Sequence, residues 1–123
     1  MRVMSVPAKL QLKPGSSISV LGIPETVELE LAEHAHASAE PASAEAVIAF
    51  AIDSAQLDTV ATPAITAARE DRLAWIAYPK AGKLGTDLNR DILARLAEER
   101  GIQAVRQIAI NDTWSALRFR PAL

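Results

Sequence analysis

Two uninterrupted apolar runs constrain the fold of this chain more than any other feature. They occupy residues 46–52 ("AVIAFAI") and 73–78 ("LAWIAY"). A strand with one solvated face alternates apolar and polar residues, whereas a continuous apolar run is typical of a parallel strand covered on both faces. We therefore predict that these segments are adjacent, central, parallel strands of one sheet.

The segment between the two runs carries the pattern of a helix. Residues 54–69 place apolar side chains along one side, and Asp53 is well suited to cap the first turn. Pro63 lies inside this segment, where its ring clashes with the preceding turn, so it should kink the helix or split it in two. A strand, a helix and a parallel strand require a right-handed crossover.

Before the first run, residues 17–23 alternate apolar and small residues and predict a strand. Residues 26–31 ("TVELEL") alternate strictly and favour a second strand, although Glu and Leu also favour a helix there. His34 and His36 lie in the Ala-, Ser- and Glu-rich loop that follows, where they could share an ion. No third ligand is fixed by spacing, so we expect no metal site.

The clearest helical pattern covers residues 87–100, where four apolar side chains form one stripe. Thr86 is the predicted N-cap, and Gly101 is placed to end the helix. Asp91 and Arg95 are four residues apart, which predicts an ion pair along the helix.

The end of the chain predicts two strands, at 103–110 and 115–121, joined by the turn residues 111–114 ("NDTW"). A connection this short requires an antiparallel hairpin. The element order predicts an α/β fold with a single open mixed sheet, helices on its faces and an antiparallel hairpin at its end. Residues 1–15 are predicted to form an N-terminal arm, and residues 16–123 a single α/β domain.

Composition excludes several classes of function. The 123 residues contain no cysteine, which excludes disulfides and thiolate chemistry and is compatible with the cytoplasm. No stretch approaches 18 apolar residues, so we expect no membrane span. Residues 1–79 carry five Lys/Arg and ten Asp/Glu, whereas residues 80–123 carry eight and five. The basic residues are not interleaved with aromatic ones, so we do not expect nucleic-acid binding.

The second half of the chain resembles a known family. Residues 73–121 contain "YPK", "TDLNRD" and "WSALRFR" in that order. This combination resembles the signature of a family of small bacterial proteins catalogued as a domain of unknown function. The resemblance implies a bacterial protein and implies no activity.

The element order also resembles the C-terminal half of class I methyltransferases, whose last two strands form an antiparallel hairpin. This resemblance implies a Rossmann/methyltransferase-like sheet. The stretch after the first predicted strand, "SVLGIPETV", holds a single glycine and lacks the glycine-rich turn through which such folds approach a cofactor. We therefore expect neither S-adenosylmethionine nor a dinucleotide, and no other cofactor is indicated.

The loop 79–86 is the best candidate site for a ligand. In open α/β sheets, ligands collect at the carboxyl ends of strands, and helix N-termini favour anions. Gly82 would let the loop turn tightly. The candidate anion-binding residues are Lys80, Lys83, Gly85, Thr86, Asp87 and Arg90.

No catalytic group is predicted, because no nucleophile is paired with a base and no G-x-S-x-G elbow exists. Asp87 and Asp91 lie four residues apart on the predicted helix and are expected to serve its structure. Arg118 and Arg120 share a strand face that is either solvated or clamps an anion. Trp114 is expected to pack in the core, the alternative being an exposed binding residue.

Two classes of function are left by this reasoning. The first is a non-catalytic binding or interaction module that associates with itself or with a protein partner. The alternative is a domain for a small anionic ligand, or a degenerate methyltransferase-like enzyme. The sequence does not identify the ligand or the partner.

Overall fold

The structure is a computed structural model that describes residues 6–13, 15–25, 27 and 40–122. The described residues form five strands and three α-helices. In chain order they are α1 (Val6–Lys9), β1 (Ile18–Leu21), β2 (Ala46–Phe50), α2 (Thr62–Arg69), β3 (Leu73–Pro79), α3 (Arg90–Glu98), β4 (Ile102–Ala109) and β5 (Trp114–Pro121). Short 3-10 helices cover Ser54–Asp58 and Lys83–Gly85. No helix in these described ranges is long and apolar enough to cross a bilayer.

The five strands form one open mixed sheet in the order β1-β2-β3-β5-β4. β1, β2 and β3 are parallel, and β5 is antiparallel to both β3 and β4. The register places Ile48 opposite Trp75 and Ile76 opposite Leu117. The predicted α/β class, the parallel pairing of the two apolar runs and the final hairpin are therefore confirmed.

The two faces of the sheet are covered differently. α2 and α3 pack on one face, where Val47, Ile76 and Phe119 are buried beneath them. On the other face the buried residues include Leu10 and Leu12, which belong to the predicted N-terminal arm. The indole nitrogen of Trp75 donates a hydrogen bond to the Leu10 carbonyl at 3.0 Å. Residues 10–12 of the predicted arm therefore supply apolar cover on the second face.

The predicted helix over 54–69 is divided in two, as the position of Pro63 suggested. The Ser54–Asp58 turn comes first, and α2 then begins at Thr62 with Pro63 in its first turn, where a missing N–H costs nothing. Asp53 caps the first piece, since its carboxylate accepts a hydrogen bond from the Gln56 amide at 3.3 Å.

The predicted start of the helix at residue 87 is wrong. Asn89 has an extended backbone and its side-chain oxygen accepts from the Ile92 amide at 2.9 Å, so Asn89 is the N-cap and α3 begins at Arg90. The Thr86 hydroxyl instead accepts from the Leu88 amide at 3.0 Å, which forms a local turn before the helix. Asp91 pairs with Arg90 rather than with the predicted Arg95.

Two predictions concern residues that the structure does not describe. The segment 26–31 lies outside the described residues except for Val27, which is buried and belongs to no strand. His34 and His36 lie outside them as well.

Candidate functional site

A cleft of about 510 Å³ opens at the carboxyl end of β3. It lies where the N-terminus of α3 meets the ends of β3 and β4 and the start of β5. The lining residues are Tyr78, Lys80, Ala81, Asn89, Arg90, Gln107, Ile108, Ala109 and Ser115. The volume falls in the range of small-molecule sites in proteins, about 300–1,000 Å³.

The floor of the cleft is a polar group formed by three strands. The sheet register sets Tyr78 directly opposite Ser115 across the β3–β5 pair. Gln107 reaches the same group from β4, and its amide nitrogen donates to the Tyr78 hydroxyl at 3.3 Å. Side chains at the ends of three different strands therefore meet within one hydrogen-bonded cluster.

A β-bulge explains why Gln107 faces this floor. Between Ala104 and Arg106 the β4–β5 register shifts, so Ala104 lies opposite Phe119 and Gln107 lies opposite Leu117. The bulge adds one residue to β4 and changes the face on which every later side chain lies. Without it, Gln107 would point away from Tyr78.

Tyr78 is a neutral hydrogen-bonding group in this site. Only 2% of the residue is exposed, and this burial raises the pKa of its hydroxyl above the ordinary value. Hydrogen bonds with Ser115 and Gln107 lower the pKa, but burial is the larger effect. The hydroxyl therefore keeps its proton at neutral pH and can donate as well as accept.

The rim of the cleft is basic. The Lys80 backbone is fixed by a hydrogen bond from its amide to the Thr113 carbonyl at 2.7 Å, while its ammonium group has no ion pair with any described residue. Arg90 contacts Asp91 at 3.2 Å, with both side chains mostly exposed. Such exposed pairs contribute little, about 0–1 kcal/mol, so Arg90 is readily available to an anion.

None of the described residues that line the cleft carries a carboxylate. Asp87, the acidic residue predicted to lie at this site, is engaged elsewhere. Its carboxylate accepts hydrogen bonds from both the amide and the hydroxyl of Ser54, and these bonds lower the pKa of Asp87. Lys80 has no ion pair among the described residues, and Arg90 pairs with Asp91, an exposed residue outside the lining.

The structure separates the residues that the sequence grouped together. Lys80 and Arg90 line the cleft, whereas Lys83 and Gly85 lie exposed in the short helix before it. The Thr86 hydroxyl accepts a hydrogen bond from the Leu88 amide, and the Asp87 carboxylate accepts one from the Ser54 amide. Anion binding by these six residues stays a prediction.

Four polar lining residues were missed by the sequence analysis: Tyr78, Asn89, Gln107 and Ser115. Asn89 could have been recognised, because asparagine is a preferred N-cap and stands three residues before Ile92. Tyr78 is the only tyrosine and ends a buried strand, where ligands collect. Gln107 gave no signal, since the bulge that orients it is not visible in the sequence.

The other side chains that were candidates for binding have structural partners. Arg120 forms an ion pair with Asp71 at 3.1 Å, and Arg118 donates to the Gln11 side-chain oxygen at 2.7 Å. Trp114 is buried, with its ring 5.2 Å from that of Phe50 in an edge-to-face contact. The core interpretation of Trp114 is therefore confirmed.

Comparison of the chain with protein-family models, curated proteins and solved structures finds no match. Within the part of the chain that the structure describes, no group of three or more His, Asp or Glu side chains is placed to hold a metal ion.

Proposed function

We propose that this protein is a non-catalytic domain that binds a small anionic ligand in the cleft at the carboxyl end of β3. The observation that carries the proposal is the charge of the lining, whose described residues include Lys80 and Arg90 and no carboxylate. The N-terminus of α3 adds a partial positive charge from the same side. Polar side chains below this basic rim would orient the ligand.

The chemistry of the lining supports binding without catalysis. Among the described lining residues, Ser115 carries the only serine or threonine hydroxyl, and its partner is Tyr78. A neutral tyrosine with a raised pKa is a poor general base, so Tyr78 is not suited to activate Ser115 as a nucleophile.

A methyltransferase-like fold, without its cofactor, is part of this proposal. The antiparallel β5 inserted between β3 and β4 supports the likeness. Gly22 follows β1, where a cofactor would approach, but a Cβ atom there would lie 2.7 Å from Val60 and 2.9 Å from the Phe50 carbonyl. Val60 and Phe50 thus pack closely against Gly22, which supports the proposal that this turn does not hold S-adenosylmethionine. Membership of the bacterial family and a cytoplasmic location are also proposed, from the signature residues and the absence of cysteine.

A second candidate function is an interaction module. β4 is an edge strand of the described sheet, eight residues long, and Val105 is 47% exposed on it. An exposed edge offers unpaired backbone groups to a strand of a partner or of a second copy.

A thermal-shift screen tests the proposed function. Propyl phosphate, inorganic phosphate and propionate are each added to the wild type and to Lys80→Met and Lys83→Met. A ligand at 100 times its dissociation constant stabilises by about 2.7 kcal/mol. We expect an organic anion to raise the melting temperature of the wild type and of Lys83→Met, but much less that of Lys80→Met. No response in the wild type, or an equal response in Lys80→Met, would contradict the proposal.

A further inference from the structure

We infer that the ligand is an organic anion carrying a hydroxyl group close to its charged group, as in a phosphate monoester of a polyol. This inference rests on the proposed function and concerns the neutral part of the same cleft. A bare inorganic ion would use only the rim, because Lys80 and Arg90 supply the charge. The volume of about 510 Å³ and the polar floor then require a larger ligand.

The amide groups of the lining have unused hydrogen-bonding capacity. Asn89 uses its side-chain oxygen to cap α3, which leaves both of its amide hydrogens without a partner among the described residues. Gln107 uses one amide hydrogen on Tyr78, which leaves its side-chain oxygen without a described partner. The cleft thus offers a donor from the helix side and an acceptor from the sheet side.

A hydroxyl group is the simplest ligand group that satisfies both positions, because it donates one hydrogen bond and accepts others. It would accept from the Asn89 amide and donate to the Gln107 oxygen. A second hydroxyl could reach the Tyr78–Ser115 pair, which is neutral and therefore suited to a neutral partner. A carboxylate at this position would be less suitable, since the Gln107 oxygen only accepts.

Selectivity follows from the cost of leaving such groups unpaired. A site with polar groups placed for a ligand hydroxyl discriminates against the analogue that lacks it. The cleft is open to solvent, so water can replace part of the lost interaction. We therefore expect a preference of about tenfold rather than the much larger ratios of enclosed sites.

Isothermal titration calorimetry with two matched probes tests this inference. Glycerol 3-phosphate and propyl phosphate have the same charged group and the same three-carbon chain, and differ in two hydroxyl groups. The wild type should bind glycerol 3-phosphate about tenfold more tightly. Gln107→Met should lower the affinity for glycerol 3-phosphate toward that for propyl phosphate, whereas the affinity for propyl phosphate should not change.

Two further variants separate the two parts of the site. Asn89→Ser keeps a good N-cap but removes the amide donors, so it should reduce the preference while the melting temperature is retained. Lys80→Met should weaken both probes by the same factor. Equal affinity of the wild type for the two probes would overturn this inference and leave the proposed function intact. A preference unchanged in both Gln107→Met and Asn89→Ser would also overturn it. If neither probe binds, the proposed function and this inference both fail.

Discussion

Ser54 donates two hydrogen bonds to the carboxylate of Asp87, one from its amide at 2.8 Å and one from its hydroxyl. The two residues are 33 positions apart, and their contact ties the segment after β2 to the loop that leads from β3 to α3. The contact also engages the one carboxylate that the sequence placed at the anion site. Asp87 is not among the described residues that line the cleft.

The first prediction concerns the titration of Asp87. The Ser54 hydroxyl is the largest cause of the lowered pKa, so Ser54→Ala should move this pKa up toward its ordinary value. Carboxyl NMR of the two proteins measures the change. Asp58 is the internal control, because Arg100 lowers its pKa and that pair is untouched. An unchanged Asp87 pKa in Ser54→Ala would show that the hydrogen bond from the Ser54 hydroxyl does not form in solution.

The pH dependence of stability follows from the sign of this shift. An aspartate whose pKa is lower in the folded state contributes its full stabilisation above its unfolded pKa, about 3.9, and loses it as the pH falls through the folded value. The free energy of unfolding, measured by chemical denaturation, should therefore differ more between the wild type and Ser54→Ala at pH 7 than at pH 2. A difference that stays constant with pH would exclude an ionised Asp87 as the partner.

The second prediction compares two glycines with positive φ. Gly22 (φ +68°) lies where a Cβ would be 2.7 Å from Val60, whereas Gly15 (φ +81°) has nothing within 4 Å. Gly15→Ala should cost about 1–2 kcal/mol from backbone strain alone. Gly22→Ala should cost at least about 3 kcal/mol, because overpacking adds to that strain. If chemical denaturation gave equal losses of unfolding free energy for the two variants, Gly22 would not be packed against Val60 and Phe50 as described.

The third prediction tests the paired apolar strands. Ile48 and Ile76 are 0% and 1% exposed and belong to the clusters on opposite faces of the sheet. Replacing either by Ala should cost about 2–5 kcal/mol through lost burial and a residual cavity. Ile52→Ala is the matched control, since Ile52 is 39% exposed. Losses below about 1 kcal/mol at both buried sites would show that these strands are not core.

The fourth prediction uses the single tyrosine of the chain. Burial raises the pKa of Tyr78, so its ultraviolet absorbance should titrate above the ordinary value of about 10. Ser115→Ala should raise the midpoint further, because the Ser115 hydrogen bond favours the phenolate. Circular dichroism at each pH confirms that the chain is still folded. A midpoint at the ordinary value would indicate that the floor of the cleft is open to water.

The parts of the fold that were predictable depend on local pattern. The continuous apolar runs identified β2 and β3, Pro63 marked the division of a helix, and the turn at 111–114 required a hairpin. Each of these signals acts through covalent geometry or through burial of neighbouring residues. They sufficed for the α/β class, for the parallel pairing of β2 with β3 and for the antiparallel pairing of β4 with β5.

The features that were not predictable depend on contacts between distant segments. Thr86 and Asn89 are both acceptable N-caps. In the structure Asn89 caps α3, while the intervening Asp87 is bound by Ser54, a residue 33 positions earlier in the chain. The floor of the cleft needs the register of β3, β5 and β4, and a one-residue bulge sets the face of Gln107. Local patterns identified Lys80 and Arg90 at the rim but could not identify the floor.

Backbone amide NMR of the labelled protein during titration with propyl phosphate tests the central claim most directly. We expect saturable shifts concentrated at four residues of the cleft, Lys80, Ala81, Asn89 and Arg90. These shifts should be lost in Lys80→Met and retained in Lys83→Met. Saturable shifts centred on residues 83–86 would place the anion at the loop instead of the cleft. Shifts spread over surface lysines and arginines without saturation would mean charge screening only, and either result would contradict the account.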